Sequence, residues 1–519
     1  MATTVSPHAA GDIQTDRLFH GSCVSLIATS VAFAVVGAVM LQLKAAFVLT
    51  NEEVGWIAGA ALWGFSVSQL IFSPLCDNLG FRFLLRLAFV CHLVGVAVMV
   101  LASGFWMLFA GAWIISGANG LVEAACNPLV VSLYPNNKTV KLNRFHVWFP
   151  GGIVIGSVAA YLLDQVGIGA WQVKLALILI PTLAYGFLML REKFPDTEGV
   201  RAGISMGEMF KATFTTPFFW LLFACMAITA STELGPNRWI PPVLQSGGIP
   251  GILVLAYISG LMAILRYNAG VIVHRFSPTG VLLMSAILGA IGLYWFSFAE
   301  TTLVAFLSAT VFAVGVCFFW PTMLGVTSER VPRSGAFGLG LMGAFGMLIV
   351  GVVTTPWMGH INDMKLNDVI PVEQTVTLLQ NTADTFPVLA NQAQPEFRSE
   401  ITGAGSQAQA VVSHYVEFNA LPSPGTANAL RAITGAQTAV ASTNDAKAEQ
   451  IVTAAQGILG PADNYGGRMS FRAIVPFTCV LILVFGILYF RDRSRGGYKV
   501  EHLTQADLQD AQQKAAVSA

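Results

Sequence analysis

Twelve stretches of mostly apolar residues recur along the 519-residue chain, and each is long enough to cross a lipid bilayer. A helical span needs about 20 such residues to cross roughly 30 Å of hydrocarbon. Backbone polar groups in lipid must pair within their own segment, so each stretch is expected to be an α-helix. The stretches begin near Ser22, Val54, Leu84, Phe105, Phe145, Trp171, Phe218, Gly251, Gly280, Leu303, Ala336 and Phe471. The chain is therefore predicted to be an all-α polytopic membrane protein with twelve transmembrane helices.

Charged residues make up only 11% of the chain and hydrophobic residues 55%, whereas soluble domains average about 25% charged residues. The formal net charge is zero, which gives no indication of a nucleic-acid partner. We find no nucleotide-binding P-loop, no catalytic motif and no Cys/His cluster in the sequence. We therefore expect neither an enzyme nor a bound metal or cofactor.

Lys and Arg residues are distributed unequally between the loops. Residues such as Arg82, Lys141 and Arg191 fall in alternate loops, and the short loops between those carry almost no positive charge. By the positive-inside bias, the basic loops mark the cytoplasmic side. Both termini are then cytoplasmic and the helix count is even. The expected location is a bacterial-type inner membrane.

The chain divides into two blocks of six helices, joined by a charged linker, as in transporters built from two bundles. The predicted segments are a cytoplasmic tail (1–21), an N-terminal six-helix bundle (22–190), a cytoplasmic linker (191–216), helices 7–11 of a C-terminal bundle (217–359), an extracytoplasmic insertion (360–469), helix 12 (470–491) and a cytoplasmic tail (492–519).

The insertion between the last two predicted helices is rich in Ala, Gln, Thr and Asn. Its segments Val372 to Leu379 and Ala427 to Ile433 have helical apolar spacing, while prolines interrupt it elsewhere. We expect a partly helical, mobile extracytoplasmic loop. The alternative is a cap that contributes to substrate access or partner binding.

The polar turn after the second predicted helix contains Asp77, Gly80 and Arg82. This turn resembles the signature loop of the major facilitator superfamily, in which a helix end precedes Asp-Arg-x-Gly-Arg. The resemblance implies a fold of two six-helix bundles. It also implies that the three residues take part in gating, because the family loop holds the cytoplasmic side shut in one state.

Glu123, Asn127 and Pro128 form a Glu-x-x-x-Asn-Pro pattern in the fourth predicted helix, followed by a Leu-Asn loop and a glycine-rich fifth helix. This series resembles the fucose–proton symporter branch of the same superfamily. The resemblance implies secondary active transport of a sugar with protons, and it ties Glu123 to both recognition and protonation. An acid in the first helix of that branch has no counterpart between Ser30 and Val39.

Glu123, Glu233 and Arg266 are ionisable residues at membrane depth, where a charge costs at least ~2.5–3.5 kcal/mol on insertion scales. Glu123 is either a proton acceptor or a structural carboxylate paired with a buried cation. Asn127 lies one turn away on the same face. It is either a hydrogen-bond partner for a substrate hydroxyl or a contact between helices.

Glu233 contacts the substrate, and shares the proton-coupling role, or it neutralises Arg238 or Arg266. Pro236 is expected to kink or unwind the helix beside Glu233, which would expose Asn237 as a further substrate ligand. Arg266 is expected to be a paired gating residue, as the family resemblance also implies. His146 is expected near the cytoplasmic end of the fifth helix, where it would also act in gating.

Sugars present apolar faces that stack on aromatic rings. Trp239 and Trp320 are the candidate stacking residues, because each adjoins a polar residue or a proline within a predicted span. The alternative for both is packing or anchoring at the lipid interface.

These features favour a monomeric importer that carries a monosaccharide or a related polyol together with protons by alternating access. Its partners would be the sugar-like solute, H⁺ and membrane lipid. A uniporter or exporter of another small molecule is an alternative, and Arg238 with Arg266 would suit an anion. A transporter-like membrane sensor is a second alternative. Coupling to sodium instead of protons stays open.

Overall fold

A computed structural model of the protein describes residues 13–47, 49 and 51–501. Its described residues form helices and connecting turns, with no β-strand among them. Residues 1–12 and 502–519 of the two predicted tails lie outside the described residues.

The N-terminal bundle contains six membrane-crossing segments, two of which are interrupted by a short break. The segments are α1 (Thr15–Phe47), α2 (Asn51–Phe72), α3 (Cys76–Val100), α4 (Phe105–Leu133), α5 with α6 (Lys138–Phe145 and Trp148–Gln165) and α7 with α8 (Trp171–Ala176 and Leu179–Met189).

Two short helices in the linker, α9 (Glu198–Arg201) and α10 (Met206–Thr215), precede the C-terminal bundle. The bundle begins with α11 (Pro217–Ser246), α12 with α13 (Gly251–Tyr267 and Ala269–Phe276), α14 (Pro278–Phe296) and α15 with α16 (Thr302–Val316 and Phe319–Arg330). It ends with α17 (Gly335–Ile349), a π-helical turn (Val350–Thr354), α18 (Thr355–Leu366) and the long α23 (Ala446–Ser494).

Eleven helices in the described part of the chain are long and apolar enough to cross a membrane, and a twelfth span results when α12 and α13 count as one. These two helices meet at a bend of 63°. The predicted twelve-helix, two-bundle architecture is thus confirmed. An even number of spans puts both termini on one side, the terminal side, and the insertion on the other, the insertion side.

Four predicted helix starts differ from the structure because polar residues continue the helices beyond the apolar runs. Helix α3 begins at Cys76, not near Leu84. Helix α1 begins at Thr15, not near Ser22, and the fifth span begins at Lys138, not near Phe145. Helix 12 was expected to begin at residue 470. Instead, α23 runs without a break from Ala446 through that boundary.

The insertion forms a compact helical unit, which is more regular than the partly helical loop that was expected. It consists of α19 (Val372–Gln392), α20 (Pro395–Phe418), α21 (Gly425–Gly435), α22 (Gln437–Ala441) and the first part of α23. These helices bury their own hydrophobic core, which includes Leu379, Phe386, Ile401, Leu430 and Ile433. Helical apolar spacing identified two of the segments, but the burial of Ala and Thr across helix pairs gave no comparable signal.

Charged and polar contacts hold the insertion against the C-terminal bundle. Arg431 bonds Asp363 on α18 and Asp463 on α23 at 2.5 and 2.6 Å. Closer to the bundle, Asn464 on α23 donates to the backbone carbonyl of Val243 on α11 at 2.7 Å. Since α23 is both the base of the insertion and the twelfth span, we infer that the insertion moves with the C-terminal bundle.

The connection from α2 to α3 depends on one glycine. Gly80 has φ 74° and ψ 156° inside the first turns of α3, a backbone conformation that is essentially restricted to glycine. It redirects the helix immediately after Asp77, on the terminal side of the N-terminal bundle.

We expect Gly80→Ala to destabilise the protein by about 1–3 kcal/mol, because a Cβ is strained at this φ and ψ. Gly55→Ala on α2 is the matched control, since an added Cβ there meets no atom within 4 Å. Thermal unfolding of both purified variants in detergent tests this expectation. Equal midpoints for the two variants would contradict it.

Candidate functional site

A cavity of about 680 Å³ lies between the two bundles. Its walls come from α1, α2 and α6 of the N-terminal bundle and from α11, α12 and the π-helical turn of the C-terminal bundle. The lining extends from Glu233 and Arg266 at membrane depth to Asp164 and Lys174, next to the α6–α7 connection. That connection faces the insertion side, so the cavity opens toward the insertion side.

Arg266 lies at the base of this cavity and is only 2% exposed. Its Nη2 donates to Glu233 Oε1 at 2.9 Å, and its Nε donates to the backbone carbonyl of Cys317 at 2.5 Å. Its Nη1 reaches the other bundle and donates to the carbonyl of His146 at 3.1 Å. One guanidinium therefore joins both bundles directly beneath the cavity.

Glu123, Asn127 and His146 form a second buried group beside Arg266. Asn127 Nδ2 donates to Glu123 Oε2 at 2.6 Å, and His146 Nε2 lies 3.0 Å from Asn127 Oδ1. His146 Nδ1 lies 4.0 Å from Glu123 Oε1. Two members of this group, Glu123 and His146, line a small cavity next to the large one, together with Phe65, Phe149 and Trp320.

The two carboxyl groups differ in their partners. Glu233 is paired directly with the guanidinium of Arg266, so their charges cancel. Glu123 has an amide as its hydrogen-bond partner and an imidazole 4.0 Å away. A buried carboxylate without its own cation is costly, and uptake of a proton removes that cost. The arrangement therefore makes Glu123 the carboxyl group best placed to bind and release a proton.

His146 is deeply buried, so its expected position near an exposed helix end is wrong. It occupies the break between α5 and α6 and is 2% exposed. The prediction failed because the fifth span begins at Lys138, which puts His146 two turns inside the helix. Its role in gating stays a prediction, now with contacts to both Asn127 and Arg266.

Of the three remaining predicted substrate ligands, two line a cavity and one does not. Trp320 lines the small central cavity, and Asn237 lines the large one. Trp239 does neither: its Nε1 donates to the carbonyl of Thr355 at 3.3 Å, and its ring packs beside Gly359. Helix α11 also continues through Pro236 without unwinding, because the neighbouring helix α18 packs against this part of it.

The terminal side beneath the site is closed by contacts between the bundles. The backbone N–H and Oγ1 of Thr139 donate to Glu329 Oε1 at 3.0 and 2.8 Å. Glu329 Oε2 accepts from the hydroxyl of Tyr498 at 2.7 Å. Lys138 and Asn143 also cross the boundary, with bonds to the Ser328 carbonyl and the Thr322 hydroxyl.

Glu329 was not among the candidate residues predicted from the sequence. The available signal was an acidic residue in the polar run Thr327-Ser328-Glu329-Arg330, which is buried at the end of α16. Its partner Thr139 stands in a segment that was assigned to a loop.

The predicted gating residues of the α2–α3 turn lie at the edge of this closed region. Arg82 donates to the backbone carbonyl of Glu192 at the start of the linker. Asp77 is half-buried against the linker helix α9: a Cβ on Gly199 would lie 3.1 Å from its Oδ2. The turn therefore contacts the segment that connects the two bundles, while its gating role stays a prediction.

The family model of the Major Facilitator Superfamily matches residues 22–355, which covers eleven of the twelve spans. This chain belongs to the Major Facilitator Superfamily. Within the superfamily, it is 21% identical over 377 residues to the L-fucose-proton symporter of Escherichia coli, covering 65% of this chain and 84% of that protein. It is 23% identical over 320 residues to a Haemophilus influenzae protein named "Probable sugar efflux transporter", covering 59% and 77% respectively.

Solved structures of superfamily members share the fold. The crystal structure of FucP in the outward conformation matches with a TM-score of 0.55 at 20% identity, covering 66% of this chain and 92% of that one. The proton:xylose symporter XylE matches with a TM-score of 0.53 at 15% identity, covering 66% and 88%.

We expect Glu329→Ala to shift the protein toward a state open on the terminal side. The change removes the two hydrogen bonds from Thr139 that cross between the bundles to this carboxylate. Each is typically worth about 1.5–3 kcal/mol, so the shift is at least about tenfold in population. Spin labels at the exposed positions Asn136 and Arg275, one on each bundle, report the distance between them.

Glu501→Gln is the control, because Glu501 contacts Glu329 only through its own backbone N–H. A distance distribution that is the same for Glu329→Ala, Glu501→Gln and the wild type would rule out a role for Glu329 in closing the terminal side.

Proposed function

We propose that this protein is a secondary transporter that imports a monosaccharide or related polyol together with protons by alternating access. The observation that carries the proposal is the cavity between the bundles, which opens on the insertion side and ends at two buried carboxyl groups. Below these groups, the contacts of Glu329 close the terminal side. Such a state receives solute from one side only.

The size and lining of the cavity support a sugar-sized substrate. A volume of about 680 Å³ falls in the usual range of about 300–1,000 Å³ for small-molecule sites. Phe33, Phe149 and Tyr161 supply ring faces, and Asn237 and Ser259 supply polar groups. Aromatic faces with a few placed polar groups suit a solute that combines C–H faces with hydroxyls. Two relatives, one named as an L-fucose-proton symporter and one as a probable sugar efflux transporter, agree with this class.

Glu123 is the proposed coupling residue. With a proton bound, the carboxyl group is neutral, and the buried group at the boundary carries no uncompensated charge. With the proton released, the bare carboxylate attracts Arg266, which is shared with Glu233 and with the His146 carbonyl. A change in how Arg266 divides its hydrogen bonds among these groups alters the contact that joins the bundles. Protonation of Glu123 is thereby linked to the relative movement of the bundles.

The proposed setting follows from the fold and the charge distribution. The protein lies in a bacterial-type inner membrane, and its terminal side faces the cytoplasm, since the basic residues cluster there. The insertion then lies outside the cytoplasm. The protein acts as a monomer, with lipid around the two bundles, because the cavity is enclosed by the two bundles of a single chain.

We expect Glu123→Gln to abolish accumulation driven by an inward proton gradient and to retain exchange of solute, because a neutral amide can still accept substrate hydrogen bonds. Uptake of labelled monosaccharides into proteoliposomes tests this expectation, and Glu373→Gln on the exposed surface of the insertion is the control. Accumulation that survives Glu123→Gln would transfer the coupling role to Glu233. A failure to transport any sugar would overturn the proposed function.

We expect replacement of residues 367–445 by a short Gly-Ser linker to leave uptake intact. The helices α18 and α23 pack on each other at the base of the insertion, and its hydrophobic core is separate from that of the bundles. Uptake in proteoliposomes and thermal unfolding are measured together on the same preparation. Lost uptake in a protein that unfolds at the wild-type temperature would assign the insertion a direct part in transport.

A further inference from the structure

The charges that line the large cavity do not cancel. Three cationic residues (Lys174, Arg238 and Arg266) and two anionic residues (Asp164 and Glu233) contribute to its wall, which leaves a net charge of +1. Lys174 is paired with Asp164 at 2.7 Å, and Arg266 is paired with Glu233 at 2.9 Å. Arg238 is the remaining charge.

Arg238 has no hydrogen-bond or ion-pair partner within the described part of the chain. It projects from α11 about one and a half turns beyond Glu233 toward the insertion side, and its side chain is exposed within the cavity. An unpaired arginine at membrane depth is costly unless it faces water or an anion. The positive charge of Arg238 therefore lies in the path of the solute, and the low-dielectric walls of the cavity strengthen its attraction for anions.

Two acceptor atoms near Arg238 also lack a partner. Asn237 Oδ1 and Glu233 Oε2 are buried and accept no hydrogen bond from any described residue, and both side chains line the same cavity. Buried acceptors without a donor are costly, and a ligand that brings hydroxyl groups would satisfy them. The site thus combines one free cation with two acceptors in need of donors.

We propose that the substrate is an acidic monosaccharide, with one carboxylate that binds Arg238 and hydroxyls that bind Asn237 and Glu233. This inference rests on the proposed sugar transport and specifies its substrate class. The guanidinium binds a carboxylate through two parallel hydrogen bonds. Because one positive charge is uncompensated, a monoanion fits better than a neutral sugar or a sugar phosphate with two charges.

The arrangement also orients the solute. The carboxylate lies on the insertion side of the cavity, where Arg238 projects, because the charges of Arg266 and Glu233 at the base already cancel each other. The hydroxyl-bearing end then reaches the base, beside the Arg266–Glu233 pair and the small cavity that contains Glu123. The protein recognises the solute by its carboxylate. The opposite end of the solute contacts the group that is proposed to couple transport to protons.

Binding of labelled D-glucuronate and D-glucose to the full-length protein in nanodiscs tests this proposal, because the two rings differ in a single carboxylate. We expect the wild type to bind glucuronate at least tenfold more tightly than glucose. Arg238→Gln should remove that preference and leave glucose binding unchanged, whereas Arg238→Lys should retain part of it. Arg275→Gln, which removes an exposed arginine on the terminal side, is the control for a general loss of positive charge.

Competition with glucose 6-phosphate and acetate resolves the remaining alternatives. Weaker competition by both than by unlabelled glucuronate supports a monoanionic, hydroxyl-rich ligand. Equal competition by acetate would overturn the sugar part of the proposal, and equal competition by glucose 6-phosphate would overturn the single charge.

The result also separates this proposal from the one on which it rests. Glucose transport that depends on Glu123 but shows no preference for the acid, or an acid preference unaffected by Arg238→Gln, would overturn only the assignment of the anion site. No binding of either sugar would overturn both proposals.

Discussion

The buried guanidinium of Arg266 is the interaction on which the arrangement of this protein depends. A charge this deeply buried must be paired and fully hydrogen-bonded, and its partners come from α11, α15–α16 and α5–α6. Removal of one partner from such a group typically costs about 3–5 kcal/mol. The three donor bonds thus hold the bend of the eighth span, the base of the cavity and the two bundles in one arrangement.

Alternating access requires the contacts on one side of the substrate to form while those on the other side break. Here the closed side contains hydrogen bonds to one carboxylate, Glu329, together with close helix contacts between α2 and α17. A Cβ on Gly340 would approach Ser73 Oγ to 1.9 Å, and one on Gly343 would approach Gln69 Oε1 to 2.8 Å. Gln69 and Ser73 are buried with side-chain atoms that lack a partner among the described residues. The contact between α2 and α17 combines close backbone approach with unsatisfied polar groups, so it is held less tightly than an apolar core. This suits a contact that must open.

The fold was largely predictable because lipid leaves few choices for the backbone, and the apolar runs marked eleven spans and the bent eighth one. Glu123, Glu233 and Arg266 were found by the same reasoning, since an ionisable residue within such a run is exceptional. The burial of His146 and the contacts of Glu329 were missed because their helices extend past the apolar runs into sequence that looks like a loop. The pairing of Glu233 with Arg266 instead of Arg238 could not be read from spacing, as it depends on how α11 and α12 pack. The order of the insertion escaped for a related reason: besides Leu, Ile and Phe, its core contains many alanines whose burial shows only when the helices meet.

Helix α23 joins the twelfth span to the insertion as one continuous element of 49 residues. At 1.5 Å per residue it is up to roughly 74 Å long, more than twice the ~30 Å of hydrocarbon that it crosses. Most transporters of this size are nearly hidden in a detergent micelle, which leaves image-alignment procedures little to recognise. This chain supplies its own fiducial marker, fixed to one bundle by Arg431 and Asn464. Electron cryomicroscopy of the unmodified protein could use the tilt of that marker against the micelle to sort particles by conformational state.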